Sequence, residues 1–132
     1  KALDRAGGQG AFEFEIEGVG TFGSPRLPRV IWVGVHMPNA PLSSLQQACQ
    51  ACLAEVGFPP EGRAYKPHLT LGRVKDARAG QQIVEAVERL RHEVSGRLVQ
   101  TATEVVLFES ILHPQGSQHI VAHKVVLRQM QV

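Results

Sequence analysis

The sequence has 132 residues, of which 43% are hydrophobic and 20% are charged, and its formal net charge is +2. This composition fits one ordinary globular domain, and it excludes a disordered chain and a membrane helix, which needs roughly 20 consecutive apolar residues. The small net charge does not indicate a nucleic-acid binder, although a local basic patch could still form. Two cysteines cannot staple a secreted scaffold, so we expect a cytoplasmic location.

The first half of the chain predicts two strands and a helix. Residues 1–10 are polar and glycine-rich, and are expected to be frayed. From Phe12 to Glu17, apolar and acidic residues alternate, which predicts a half-buried strand that Gly18–Gly20 ends. The apolar, β-branched run Val30–Val35 is typical of a central strand. Asn39-Ala40-Pro41 opens a predicted helix that continues to Val56, with apolar residues three and four apart.

The second half predicts a strand from Tyr65 to Val74 and a helix from Gln81 to Val94. A long β-rich stretch follows from Val99 to Leu112, then a turn at His113–Gly116 and a returning strand from Gln118 to Leu127. Hairpins at both ends favour an α+β fold of mostly antiparallel sheets with helices packed on them. No internal boundary appears, so residues 1–132 are expected to form a single domain.

Two short motifs are better explained by structure than by chemistry. Gly18 to Gly23 matches G-x-G-x-x-G, but Pro25 and Pro28 preclude the helix that a dinucleotide loop must open, so a glycine hairpin is predicted. Cys49 and Cys52 have the spacing of a metal or redox pair. They lie in the middle of a helix on its apolar stripe, without further ligands at comparable spacing, so we expect core packing and no metal site.

The segment from Tyr65 to Arg73 carries the candidate site. Pro67 keeps Lys66 out of helical conformation. In the strand that follows, alternation places His68, Thr70 and Gly72 on one face. An imidazole and a hydroxyl roughly 6–7 Å apart along a strand can bind one small anion together.

The other residues of this segment complete the prediction. Leu69 and Leu71 are expected to be buried on the opposite face. Lys66 projects to the face of His68, and Arg73 lies at its edge. The alternative interpretation is a half-exposed strand whose histidine and threonine have no chemical role.

The string Pro67–Arg73 resembles the second signature of the two-histidine (2H) phosphoesterases. It is most similar to their RNA 2′,3′-cyclic phosphodiesterase branch, historically called 2′-5′ RNA ligases. Phe22 and Pro28–Val35 resemble the family's stretch between its two motifs. The helix from Leu42 to Val56 resembles the run-up to the second motif. Glu109–Leu112, followed by Gly116, resembles the closing hairpin, so the resemblance extends from about Phe12 to Leu127.

The resemblance implies a bilobal, pseudo-symmetric LigT-like fold. It also implies metal-independent hydrolysis of RNA 2′,3′-cyclic phosphate ends to 2′-phosphate ends, with reversible 2′-5′ ligation. No cofactor, metal or membrane is implied, and the partners would be RNA or nucleotide 2′,3′-cyclic phosphate ends. His68 would be one of two catalytic histidines, and Thr70 would hydrogen-bond a nonbridging phosphate oxygen. Arg73 and Lys66 would bind substrate.

The family carries two H-x-[ST] motifs, whereas among the six histidines here only His68 has Ser or Thr two places on. The first motif normally lies upstream of the Phe12 strand, and this chain begins at Lys1. We therefore expect that the domain is truncated at its amino terminus, with part of one lobe missing. Such a chain would be nearly inactive alone, and the strand edges that truncation exposes could pair with a second copy.

Two functions of other classes stay open. The chain could be a non-catalytic nucleotide or RNA-end binding module that retains one H-x-T motif. It could also be a structural domain in which the motif is accidental.

Overall fold

The fold is seen in a computed structural model of the chain, which describes residues 1–37, 41–93 and 96–129. Antiparallel strands and two helices of 14 residues dominate it, which confirms the predicted α+β class. The elements are, in order, a 3₁₀ helix Ala2–Gly8, β1 Phe12–Gly23, β2 Pro28–His36, α1 Pro41–Ala54, β3 His68–Arg73, a short 3₁₀ helix Ala77–Ala79, α2 Gly80–Glu93, β4 Leu98–Ala102, β5 Glu104–His113 and β6 Gly116–Val126.

The chain divides into two compact units, and the first is built around a four-stranded sheet. Its strand order is β3-β2-β1-β4, and β2 pairs antiparallel with both β1 and β3. This arrangement confirms β2 as a central strand. The helix α2 contacts β2 and buries Val87, while Arg91 Nε donates a hydrogen bond of 3.0 Å to the Val19 carbonyl oxygen.

The second unit joins the 3₁₀ helix Ala2–Gly8, α1 and the β5–β6 hairpin. Leu3, Cys52 and Val125 form its core, one residue from each element. The half-buried hydrophobics packed against them are Cys49, Leu53 and Val105. The cysteines therefore pack in the core as predicted. Burial raises the pKa of the Cys49 thiol above its usual value, which disfavours the thiolate that redox or metal chemistry requires.

The frayed lead-in predicted for residues 1–10 is wrong. Leu3 and Ala6 are three residues apart and both are buried, so the 3₁₀ helix is fixed by its apolar side. Arg5 forms an ion pair with Glu55 after α1. A polar contact also holds the 3₁₀ helix to β6. Asp4 Oδ1 lies 2.7 Å from His123 Nε2, and this contact lowers the pKa of the Asp4 carboxyl.

Two predicted strand boundaries are also wrong. β1 does not end at Gly18–Gly20 but continues to Gly23, because Gly18 adopts a φ of +77° and forms a bulge between Glu17 and Val19. The G-x-G-x-x-G match thus lies entirely within β1 and does not form a hairpin. The stretch from Val99 to Leu112 is divided at Thr103 into β4 and β5, which belong to different sheets. The predicted helix residues Asn39, Ala40 and Val94 lie outside the described residues.

Candidate active site

A bulge in β3 determines which side chains share a face with His68. In the pairing with β2, His68 faces Gly34, Thr70 faces Trp32 and Arg73 faces Val30, and Leu71 is the extra residue. Directly paired residues of an antiparallel sheet share a face, and a bulge shifts the alternation by one residue. The bulge therefore brings Arg73 onto the face of His68 and Thr70.

Two parts of the sequence prediction for this strand are corrected. Gly72 pairs with Ile31 and lies on the opposite face, because the one-residue bulge at Leu71 moves it there. Leu69 and Leu71 are not buried but are 52% and 61% exposed. β3 is the edge strand of its sheet, so these side chains have neighbouring strand residues on one side only.

His68 makes two contacts, and its Nε2 has no hydrogen-bond partner among the described residues. Its Nδ1 lies 2.6 Å from the carbonyl oxygen of Lys66. A carbonyl oxygen can only accept, so Nδ1 carries the proton and Nε2 of the neutral ring carries the lone pair. The ring also meets Phe22 edge-to-face, with centroids 4.7 Å apart and planes at 84°. The exposed His68 is thereby fixed in tautomer and orientation.

The sequence did not predict the two aromatic rings beside His68, which belong to Phe22 and Trp32. Phe22 also packs against Trp32, with ring centroids 5.2 Å apart. Gly20 makes room for this, because a Cβ there would clash with the Trp32 ring. Phe22, Trp32 and Gly20 share the face of His68 through the pairing of β1 with β2. Only this register identifies them, and no local motif encodes it.

Three further predicted residues surround His68. Thr70 and Arg73 are exposed, and neither side chain has a hydrogen-bond or ion-pair partner among the described residues. Lys66 Nζ lies 5.9 Å from the centroid of Phe22, at the length of a weak cation–π contact. Thr70 and Arg73 thus share one face of β3 with His68, and Lys66 lies beside Phe22 on the same face of the sheet. These side chains could hold an oxyanion against the imidazole.

Other parts of the described chain offer less chemistry. Two open cavities, of about 390 and 450 Å³, are lined by other residues than these. Residues 1–37, 41–93 and 96–129 contain no group of three His, Cys, Asp or Glu side chains placed to hold a metal ion. In the same ranges, no helix has the length and apolar character needed to cross a membrane.

Solved structures with the same fold are similar over almost the whole chain. The protein TT0787 of Thermus thermophilus has a TM-score of 0.71 and 21% identity, covering 98% of this chain and 68% of that one. Apo LigT of E. coli has a TM-score of 0.63 and 22% identity, covering 97% and 67%. At these identities the similarity establishes the fold alone.

Sequence comparisons are more specific. The chain is 39% identical over 113 residues to an RNA 2′,3′-cyclic phosphodiesterase of Methanothermobacter thermautotrophicus, covering 86% of this chain and 59% of the relative. An Aeropyrum pernix protein of the same name is 33% identical over 105 residues, covering 80% and 58%. The chain thus spans less than two thirds of the length of these curated relatives. A profile of the 2′-5′ RNA ligase superfamily matches residues 2–109, so the chain belongs to that superfamily.

Proposed function

We propose that this chain carries half of the catalytic apparatus of an RNA 2′,3′-cyclic phosphodiesterase that works without a metal ion. Its substrates are RNA or nucleotide ends with a 2′,3′-cyclic phosphate, and its product is a 2′-phosphate end. With an RNA 5′-hydroxyl in place of water as the nucleophile, the same displacement of O3′ joins RNA by a 2′-5′ bond, and the reverse of that step cleaves it. A cytoplasmic location belongs to the proposal and is supported by the two free cysteines.

The reaction needs one proton removed and one supplied. Water attacks phosphorus and gives its proton to a base, the bond from phosphorus to O3′ breaks, and O3′ takes a proton from an acid. His68 Nε2 serves as one of these two groups. Thr70 donates to a nonbridging phosphate oxygen, where charge accumulates in the five-coordinate state. Arg73 offers a planar fork to the phosphate, and Lys66 attracts the RNA backbone.

The contact between His68 Nδ1 and the Lys66 carbonyl oxygen is the observation that carries this proposal. It leaves Nε2 as the nitrogen that exchanges protons. The bulge at Leu71 adds support, since Arg73 then shares the face of the imidazole. A strand histidine without a chemical role would not need a fixed tautomer, an unpartnered hydroxyl and an unpartnered guanidinium together.

The second proton-transfer group is expected outside these 132 residues, because His68 alone stands in an H-x-T motif. Loss of one of two acid–base groups costs about 10²–10⁴ in rate. We therefore expect the chain by itself to be slower than the Methanothermobacter relative by about that factor.

The experiment measures hydrolysis of uridine 2′,3′-cyclic phosphate at high protein concentration, with the 2′- and 3′-phosphate products resolved. The chain is compared with His68→Ala and with His113→Ala, a matched control whose ring contacts only Gln118 among the described residues. We expect slow formation of the 2′-phosphate, a loss of at least about 100-fold in His68→Ala, and no change in His113→Ala. A 3′-phosphate product, or turnover that survives His68→Ala, would overturn the assignment.

A non-catalytic RNA-end binding module is the second candidate, and the single H-x-T motif favours it. It predicts no turnover, but binding of uridine 2′-monophosphate that is weakened by His68→Ala and left unchanged by His113→Ala. Turnover above that of His68→Ala would exclude it.

A further inference from the structure

Basic residues collect at one end of the four-stranded sheet, where β1 and β3 end and β2 begins. Val74 N donates a hydrogen bond of 2.9 Å to the Arg29 carbonyl oxygen, and Arg73 pairs with Val30, so the two chain segments lie side by side there. Arg26 and Arg78 line the same cavity of about 450 Å³. The basic cluster, as we name it, consists of Arg26, Arg29, Arg73, Lys75 and Arg78.

Most of the charge in the basic cluster is uncompensated. All five side chains are exposed. Arg78 is paired with Asp76 at 3.0 Å, and this contact lowers the pKa of the Asp76 carboxyl. The other four have no acidic partner among the described residues, and the remaining eight residues of the chain contain no Asp or Glu. A local excess of positive charge therefore exists in a chain whose net charge is only +2.

The cluster is connected to the candidate active site by β3. His68 begins this strand and Arg73 ends it, so their Cα atoms are about 15 Å apart at the rise of a bulged strand. The bulge keeps His68, Thr70 and Arg73 on one face, which gives a continuous polar path along the strand. Arg29 and Lys75 lie at the Arg73 end of this strand, away from His68.

We propose that the basic cluster binds the phosphates of single-stranded RNA on the 5′ side of the end held at His68. This inference rests on the proposed function, and it makes the favoured substrate an oligonucleotide rather than a cyclic mononucleotide. The terminal phosphate lies at His68, Thr70 and Arg73, and Arg26, Arg29 and Lys75 neutralise the phosphates beyond it. Such contacts release counterions and carry no base preference.

The test measures binding of three stable probes at salt concentrations from about 20 to about 200 mM, a range over which phosphate contacts weaken strongly. The probes are uridine 2′-monophosphate, an RNA hexamer with a 2′-phosphate end and the same hexamer with a 3′-hydroxyl end. The variant is Arg26→Gln/Arg29→Gln/Lys75→Gln. The matched control is Arg63→Gln/Arg89→Gln/Arg128→Gln, which removes three exposed charges elsewhere.

We expect the wild-type chain to bind the phosphorylated hexamer more tightly than the mononucleotide. Each lost phosphate contact on a single strand reduces the slope of log K against log salt by about 0.7, so the variant should reduce the hexamer's slope by about 2. The mononucleotide's affinity should not change. The control should leave the hexamer's slope close to that of the wild type.

Equal effects of the two triple variants, or equal affinities for hexamer and mononucleotide, would overturn the inference and leave the proposed function standing. A result that overturns the proposed function but not the RNA-binding surface can also be recognised. If the variant weakens both hexamers, while neither the 2′-phosphate nor His68→Ala affects binding, the proposed function fails and the RNA surface remains. Competition by hexaglutamate as strong as by unlabelled hexamer would overturn the assignment to RNA in favour of an acidic peptide.

Discussion

Lys66 orients His68 through its backbone carbonyl oxygen, which leaves the Lys66 side chain available to attract RNA. The Lys66 carbonyl oxygen accepts a hydrogen bond from Nδ1 and so fixes the tautomer of the ring. A ring of this kind can accept or donate a proton at Nε2. The same histidine could therefore serve as base when the 2′-5′ bond is made and as acid when that bond is broken.

The tautomer of His68 is directly testable. We expect two-bond ¹H–¹⁵N spectra of the neutral ring to show a protonated Nδ1 and an unprotonated Nε2, because the Lys66 oxygen can only accept a hydrogen bond. His113 provides the comparison, since its Nε2 lies 3.3 Å from the Gln118 side-chain oxygen and should carry the proton. An Nε2-protonated His68 would contradict the orientation on which the mechanism depends.

At the scale of the element, the one-residue bulge in β3 decides the composition of the site. Without it, Arg73 would lie on the face of Leu69, opposite His68. The bulge also predicts that two single deletions of exposed leucines have opposite effects. Removing Leu71 shortens the strand at its unpaired residue and preserves every pair that β3 makes with β2. Removing Leu69 moves His68 into the position opposite Val33, on the other face.

We expect deletion of Leu71 to retain the nuclear Overhauser contact between the rings of Phe22 and His68, and to retain binding of uridine 2′-monophosphate. Deletion of Leu69 should abolish that contact and weaken binding about 10-fold or more, because a hydrogen bond to a charged group contributes about 1.5–3 kcal/mol. The two variants remove the same residue type from the same strand and serve as controls for each other. Equal behaviour of both deletions would contradict the register.

The bulges also mark the limit of what local patterns predict. The nine residues from Tyr65 to Arg73 were sufficient to select His68, Thr70, Arg73 and Lys66, because β alternation and the H-x-T spacing are local. The shared face of Arg73 was not predictable, since the bulge depends on pairing with a strand far away in sequence. The contact of His68 with Phe22 depends on strand pairing in the same way, and so does the packing of the Trp32 ring against Gly20.

At the scale of the whole molecule, the β5–β6 hairpin presents apolar side chains that the described chain does not cover. Phe108 and Val121 face each other across the strands and are 53% and 48% exposed, and Leu112 and Val126 are 83% and 73% exposed. The two strands pair only with each other, so each has an edge without a strand partner among the described residues. The β-rich pattern predicted the strands, but it does not show which part of the molecule packs against their apolar face.

We expect this hairpin to drive self-association, because exposed apolar strands with open edges tend to pair with other copies. Sedimentation velocity over a range of concentrations should show a rising weight-average mass. The double variant Phe108→Lys/Val121→Lys should reduce it, whereas Phe58→Lys, which charges a 64% exposed residue outside the hairpin, should not. A wild-type chain that sediments as a monomer throughout would contradict this expectation.

The bond between His68 and the carbonyl oxygen of Lys66 has a genetic consequence. Almost any codon at position 66 supplies the same acceptor, so a point mutation there changes charge without losing the orientation of the ring. Selection is expected to act on Pro67 instead, because its ring fixes its own backbone and restricts the backbone of Lys66. We expect mutational scanning to find substitutions at position 67 more damaging than those at position 66, where only the charge that attracts RNA is lost.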